Sequence, residues 1–241
     1  MSTVLITGGG SGTGADMARG FAERGYDVVI TGRDRAKLDR VAGGRIRAVT
    51  GDVSDPDHVA EVFAAAGPCQ VVIANAGVAE AAPFGKISMD HWNRIIAVNL
   101  TGVFLTFQQG LAQMQAGGRM IAIASIAGLR GAAYAAPYAA SKHGVMGLVR
   151  SLAQEVARKD ITVNAICPGY LDTEMTQRSI DNVMEKTGRD HAAAVALIAG
   201  RNPQGKLIPP SDVTAAALWL ATAGSGGMNG QAITLDGGEG P

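Results

Sequence analysis

The sequence predicts an α/β fold in which helices cover both faces of a doubly wound parallel sheet. Three observations carry that expectation. Short runs rich in β-branched residues alternate with longer stretches of helical spacing. Most of the short runs are apolar on both faces, as strands buried between two helical layers should be. No low-complexity linker or repeat divides the 241 residues, a length that one α/β unit often reaches. A single domain over 1–241 is therefore expected.

The expected strands are 4–7, 27–31, 46–50, 70–74, 119–125, 162–166 and 231–235. Between them, helical spacing covers 12–24, 35–42, 56–66, 89–115, 136–158 and 210–221. One segment breaks the rhythm. From Thr173 to Pro209 no strand appears, while Ile180, Val183, Met184 and Thr187, and then Ala192, Val195 and Ala199, have helical spacing. Long insertions in compact domains are often covers over a site, so 173–209 is read as a two-helix flap. The alternative is an ordinary surface pair of helices.

Composition excludes several function classes. Hydrophobic residues make up 47% and charged residues 17%, with Lys+Arg and Asp+Glu equal at 21. A neutral chain carries no footprint for nucleic acid or an anionic membrane. Cys69 and Cys167 stand in no C-x-x-C pair and have no nearby His, which argues against a disulfide framework or a metal site and fits a reducing compartment. The first residues have no basic region followed by an apolar run, and no stretch approaches the ~20 apolar residues of a spanning helix. A cytoplasmic protein is expected.

The first strand runs into Thr7-Gly8-Gly9-Gly10-Ser11-Gly12-Thr13-Gly14 and then a helix. Gly8 permits a tight turn, Gly12 lets backbone approach a pyrophosphate, and Gly14 allows close helix–strand packing. The helix N-terminus adds free N–H groups and the positive end of its dipole. A glycine motif alone is weak, but the strand–turn–helix context strengthens it. A flexible turn is the alternative. No P-loop, nucleophile elbow or H-E-x-x-H occurs.

The spacing Thr-Gly-x-x-x-Gly-x-Gly resembles the short-chain dehydrogenase/reductase family, which implies a Rossmann-type fold and a nicotinamide dinucleotide. The second strand ends in Gly32, where that family usually places an acid for the ribose. Arg33 follows, and its planar fork suits a 2′-phosphate. NADP(H) is therefore favoured and NAD(H) stays possible, since Arg33 would also suit solvent or an adenine face, and Asp34 is within reach of the ribose. The resemblance assigns Asp52 and Val53 to the adenine, and Asn75, Ala76 and Gly77 to its ribose. Taken singly, Asp52 reads equally as a cap for the helix near Pro56.

Carbonyl reduction needs a proton donor beside the carbonyl oxygen, and oxidation needs the same group as a base. A free phenol, with a pKa near ~10, needs a neighbouring cation to serve as a base at neutral pH. Lys142 follows Tyr138 by four residues and shares its helix face. Ser125 is suited to holding the substrate oxygen. Asn99 is a poor helix former within a long helical stretch. By resemblance these four form the catalytic set, with Asn99 binding a water through its backbone at a local helix break. Each has a bland alternative: Tyr-x-x-x-Lys is common on helices, Ser125 reads as a strand-end hydroxyl, Asn99 as a cap, and Tyr134 is a rival phenol. Their joint order behind the glycine turn is what points to chemistry.

Pro168, Gly169, Leu171 and Thr173 resemble the family's Pro-Gly-x-x-x-Thr segment, which implies contacts to the carboxamide and phosphate. Cys167 reads as a small buried residue. The resemblance covers nearly the whole chain and further implies a homotetramer. Many family members of this size reduce 3-oxoacyl thioesters, and the flap's Met175, Ile180, Val183, Met184, Leu197 and Ile198 suit an acyl chain or a ring. The alternatives are a cyclic, aryl or steroid alcohol, or a dinucleotide-sensing regulator that would not need the catalytic set.

Overall fold

The computed structural model describes residues 2–240. Seven strands form one parallel sheet in the order β3-β2-β1-β4-β5-β6-β7. They are β1 (Thr3–Thr7), β2 (Asp27–Gly32), β3 (Ile46–Thr50), β4 (Val71–Ala74), β5 (Arg119–Ile123), β6 (Thr162–Pro168) and β7 (Ala232–Leu235). The helices are α1 (Gly12–Glu23), α2 (Arg35–Asp39), α3 (Pro56–Ala66), α4 (Met89–Ile96), α5 (Gly102–Gln113), α6 (Ala136–Val156), α7 (Glu174–Thr187), α8 (His191–Ala199) and α9 (Pro210–Leu220).

Strand alternation builds the two cores. Leu5, Val29, Val72, Met120 and Val163 face α3, α5 and α6, packing with Phe63, Phe107, Met146 and Val149. Their neighbours Val4, Ile6, Val28, Ile30, Ile73 and Ile121 face the other way, against Met17 and Phe21 of α1 and Val213 and Leu220 of α9. One slipped residue would exchange the two sets, so burial on both faces fixes the register. The seven strands and both helical layers are those the alternating sequence predicts.

Sheet order reverses at β1, which pairs with β2 on one side and β4 on the other. At such a switch point the loops leaving the strand C-termini part and open a crevice.

Three local departures have physical reasons. β5 ends at Ile123, because Ser125 turns away to cap a 3₁₀ turn over Ile126–Gly128, its Oγ accepting the Ala127 N–H at 3.1 Å. β6 continues to Pro168, which pairs with Leu235 at a strand end where the missing proline N–H is tolerated. The expected helix 89–115 carries a π-helical stretch, Ala97–Thr101, between α4 and α5. That composite, Met89–Gln113, is by length and composition the one helix among the described residues long and apolar enough to cross a membrane, contrary to the sequence reading. Here it packs Ile95, Val103 and Phe107 into the fold.

Candidate active site

A cleft of about 910 Å³ opens at the C-terminal ends of the strands. Of the residues assigned to catalysis and to the dinucleotide, all but Asn99 line it, whereas Ile180 and Met184 of the expected flap do not.

At one side lies the glycine turn. Gly8 and Gly12 adopt φ of +68° and +49°, a region that only glycine enters freely. A Cβ on Gly14 would lie 2.2 Å from the Gly8 carbonyl oxygen, and one on Gly8 would lie 2.9 Å from Ala76 Cα. The turn is braced from β4. Thr7 Oγ1 accepts the N–H groups of Asn75 and Ala76 at 2.9 and 3.0 Å. Asn75 Nδ2 donates to the carbonyls of Thr7 and Gly8 at 2.8 and 3.3 Å. The Asn75 amide group is thus committed to shaping the turn. Ser11 begins α1 without a side-chain cap, so no side chain satisfies the first-turn N–H groups there, and Thr13 and Gly14 line the cleft.

Next to it, at the end of β2, Arg33 is 66% exposed at its side chain and approaches Asp52 Oδ2 at 3.9 Å. Asp34 caps α2 by accepting the Lys37 N–H at 3.0 Å and does not line the cleft, so it is not the ribose acid the sequence left open. Asp52 is not the helix cap either, because Asp55 caps α3. Asp52 Oδ1 accepts from the Ser54 N–H and hydroxyl at 2.9 and 2.7 Å. Burial pushes this carboxyl up, but the Ser54 bonds and Arg33 outweigh it and hold the group below its ordinary value. Val53 follows, buried.

The far wall carries Ser125, Tyr138 and Lys142. Pro137 occupies the first turn of α6, where it needs no N–H partner, and places Tyr138 one residue later. The Ser125 side chain lies beside the Tyr138 hydroxyl on this wall. Lys142, 3% exposed, donates from Nζ to the Ile123 carbonyl at 2.8 Å, and Nζ lies 5.7 Å from the Tyr138 ring centroid. Burial pushes Lys142 down to about 8, against the nearby Cys167 thiol, which pulls it up. Burial pushes Tyr138 up, the neighbouring Ser125 side chain opposes it, and Tyr170 and Cys167 raise it further. In the protein without a dinucleotide, desolvation is the largest influence on this phenol. At neutral pH both groups hold their protons. The rival phenol, Tyr134, stands 67% exposed at the rim.

Asn99 lies behind this wall, fully buried, within the π-helical stretch. Its side chain accepts the Val78 N–H at 2.8 Å and donates to the Val78 carbonyl at 2.9 Å and to Ser141 Oγ at 3.2 Å. Ser141 Oγ in turn donates to the Tyr138 carbonyl at 2.7 Å. The family resemblance implied only a backbone role for Asn99. Its side chain ties the β4 loop to α6, and neither spacing nor residue type announced Val78 as the partner.

Residues 2–183 match the family model for short chain dehydrogenases. The chain belongs to the short-chain dehydrogenase/reductase family. It is 38% identical to the cis-4-hydroxycyclohexanecarboxylate dehydrogenase of Sinomonas cyclohexanicum, over 97% of this chain and 94% of the relative. It is 36% identical to the acetoacetyl-CoA reductase of Rhizobium meliloti, over 98% and 97%. A crystal structure of an actinorhodin polyketide ketoreductase variant with NADPH superposes with a TM-score of 0.92 at 32% identity, covering 99% of this chain and 97% of that one. This short-chain dehydrogenase/reductase is thus an oxidoreductase that acts on a secondary alcohol or carbonyl with NAD(P).

The cleft of this family member fits such a dinucleotide on its own geometry. The glycine turn leaves no side chain where a pyrophosphate approaches, and the uncapped start of α1 faces it. Pro168, Gly169, Leu171 and Thr173 line the same cleft beyond β6, and the place of a Cβ on Gly12 is 3.5 Å from Thr173 Cγ2.

Beyond Thr173 come α7 and α8. Their two ends are clamped together: the Ile208 N–H donates to the Tyr170 carbonyl and the Asp172 N–H to the Ile208 carbonyl, both at 2.9 Å. Ile180, Ala194 and Ile198 make a small core of their own, with Met184 packed against it. Met175, Val183, Leu197 and Ile198 line the cleft, and so do Thr176, Ser179, Asn182 and Arg201. The cleft-lining residues of this segment are thus both apolar and polar, because helical spacing marks the apolar face but not which face meets the site.

Proposed function

We propose that this enzyme reduces the keto group of a 3-oxoacyl thioester with Tyr138 as the proton donor, NADP(H) being the favoured dinucleotide. The observation that carries the reading is the convergence of Ser125, Tyr138 and buried Lys142 on one wall of a cleft whose other side is a glycine turn.

The dinucleotide, when bound, supplies or accepts the hydride. The protein's residues do the rest. Ser125 and the Tyr138 hydroxyl converge on one place, where a carbonyl oxygen accepts two hydrogen bonds and is held for attack. Burial keeps Tyr138 protonated, so it has a proton to give as charge develops on that oxygen. Lys142 places a positive charge next to the phenolate left behind, and Ser141 and Asn99 hold the helix turn that carries both groups. Asn99, Ser125, Tyr138 and Lys142 are thus the proposed catalytic and positioning set.

The dinucleotide preference is supported by Arg33, exposed at the end of β2 with Gly32 before it, and by the commitment of Asp34 to α2. The thioester reading is supported by the likeness to acetoacetyl-CoA reductase, by an open cleft of about 910 Å³ and by Met175, Val183 and Leu197 over it. The pair α7–α8 then acts as the flap covering the acyl group.

A second reading, a cyclic secondary alcohol, is favoured by the likeness to a hydroxycyclohexanecarboxylate dehydrogenase and by Ser179 and Asn182 in the cleft lining. A kinetic panel separates them. Acetoacetyl-CoA should be reduced with a higher kcat/KM than any cyclohexanone in the presence of NADPH. Preference for the cyclic ketones would replace the first reading by the second. Undiminished turnover by Tyr138→Phe would overturn both.

A further inference from the structure

Four acidic and four basic side chains line the cleft. All four acids are paired. Asp52 faces Arg33, Glu80 pairs with Arg94 at 2.6 Å, Glu174 with Lys37 at 2.7 Å, and Glu239 with Arg130. Of the four cations, Arg130 is spent on Glu239, and Arg33, facing Asp52, is the one assigned above to the dinucleotide. Lys142 donates to the Ile123 carbonyl and stands at the proposed reacting centre. Arg201 is left. Among the described residues no carboxylate pairs with it, and its guanidinium sits 5.7 Å above the Tyr170 ring.

Its mount is firm. Arg201 follows α8 and donates its N–H to the Ile198 carbonyl. The next residue, Asn202, is buried and holds the turn from both sides, donating to the Lys206 carbonyl at 2.9 Å and accepting the Gln204 N–H at 2.8 Å. The place of a Cβ on Gly237 is 1.9 Å from Asn202 Oδ1, so this turn is wedged against the loop after β7. Tyr170 and Tyr138 line the same cleft, and Arg201 stands over the face of the first. A guanidinium resting on an aromatic face keeps its N–H fork free for an anion.

We propose that Arg201 is a specificity-determining residue that binds an anionic group of the substrate. The inference rests on the carbonyl-reducing site described above and narrows what enters it. Two sources offer the anion: a carboxylate on the substrate's own skeleton, or a phosphate of a thioester carrier.

Matched substrate pairs test this. Acetoacetate and methyl acetoacetate differ in the carboxylate, while acetoacetyl-CoA and S-acetoacetyl-N-acetylcysteamine differ in the carrier phosphates. In the wild-type enzyme the anionic member of at least one pair should have a KM lower by about tenfold or more, the worth of one charge-assisted contact. Arg201→Met should remove that advantage with the kcat of the neutral member unchanged, and Arg201→Lys should keep part of it. An advantage confined to the first pair identifies the carboxylate, and one confined to the second identifies the carrier phosphate. Equal KM values within both pairs, or an advantage that survives Arg201→Met, would overturn the proposal. Failure to turn over any of the four sinks the reductase reading instead. Calorimetric titration of acetoacetate and of CoA into the NADPH-loaded wild type and Arg201→Met then decides the arginine's role without turnover, since equal affinities in the two proteins refute it.

Discussion

Val78 and Asn99 exchange two hydrogen bonds, Val78 N–H to Asn99 Oδ1 at 2.8 Å and Asn99 Nδ2 to the Val78 carbonyl at 2.9 Å. A buried side-chain amide thus completes the backbone of the loop after β4 as a neighbouring strand would. In Asn99→Leu both Val78 groups lose their partner, and each unsatisfied group costs about 1–3 kcal/mol. Urea unfolding should therefore show a loss of about 2 kcal/mol or more, with turnover lowered because Ser141 and the first turn of α6 lose their brace. Wild-type stability in this variant would show that the pair contributes nothing.

Tyr138→Phe removes the hydroxyl and little else. The rate of ketone reduction should fall by about a hundredfold or more. NADPH binding, followed by fluorescence, should stay close to wild type, because the ring and Lys142 remain. A parallel loss of binding would assign Tyr138 to dinucleotide recognition instead.

Lys142 sets a limb of the pH profile. Held at about 8 by burial, it carries its proton below that pH and loses it above. The rate of reduction should fall as pH rises through about 8, and Lys142→Arg, cationic throughout, should lack that limb. Stability moves the opposite way. Between about 8 and the ordinary 10.5 the unfolded chain binds the extra proton, so folding stability rises with pH in that window. The rise is ~3 kcal/mol for a shift of this size, and denaturation curves of Lys142→Met should lack it.

Arg33 and Asp52 face each other at 3.9 Å at the end of β2. Arg33→Ser should weaken NADPH by about tenfold, the worth of a charge-assisted contact, and leave NADH nearly unchanged. Equal effects on both dinucleotides would remove Arg33 from 2′-phosphate recognition.

Gly14→Ala sets a methyl group 2.2 Å from the Gly8 carbonyl oxygen, a backbone atom that cannot step aside. The turn must open, at about 1–3 kcal/mol for an overpacked contact. Thermal unfolding should shift down and both dinucleotides should bind more weakly, whereas loss of NADPH alone would contradict a shared role for the turn.

The two-residue alternation of Val4, Leu5 and Ile6, and of Val28, Val29 and Ile30, made the buried parallel sheet legible without coordinates, since each side chain must go to one helical layer or the other. The glycine turn was equally plain, because close approaches and positive φ angles demand glycine whatever the rest of the chain does. Tyr138 and Lys142 were readable as neighbours for a similar reason: four residues on a helix return to one face. Ser125 was visible as a hydroxyl near a strand end, although its turn away from β5 was not.

Other relationships join residues distant in sequence, and local pattern carries no information about them. Asn99 reaches Val78 and Ser141, Lys37 reaches Glu174, and Asn202 wedges against Gly237 only when the loops are in place. Which flap residues meet the cleft depended on how α7 and α8 settle against each other. The direction in which the Tyr138 phenol is shifted was not readable in advance, because desolvation is a property of the assembled wall and not of the Tyr138–Lys142 spacing. By itself the sequence determined the sheet, the turn and the chemical groups. The tertiary structure decided their partners and their charge, since hydrogen bonds across the fold and burial exist only once distant segments share one space.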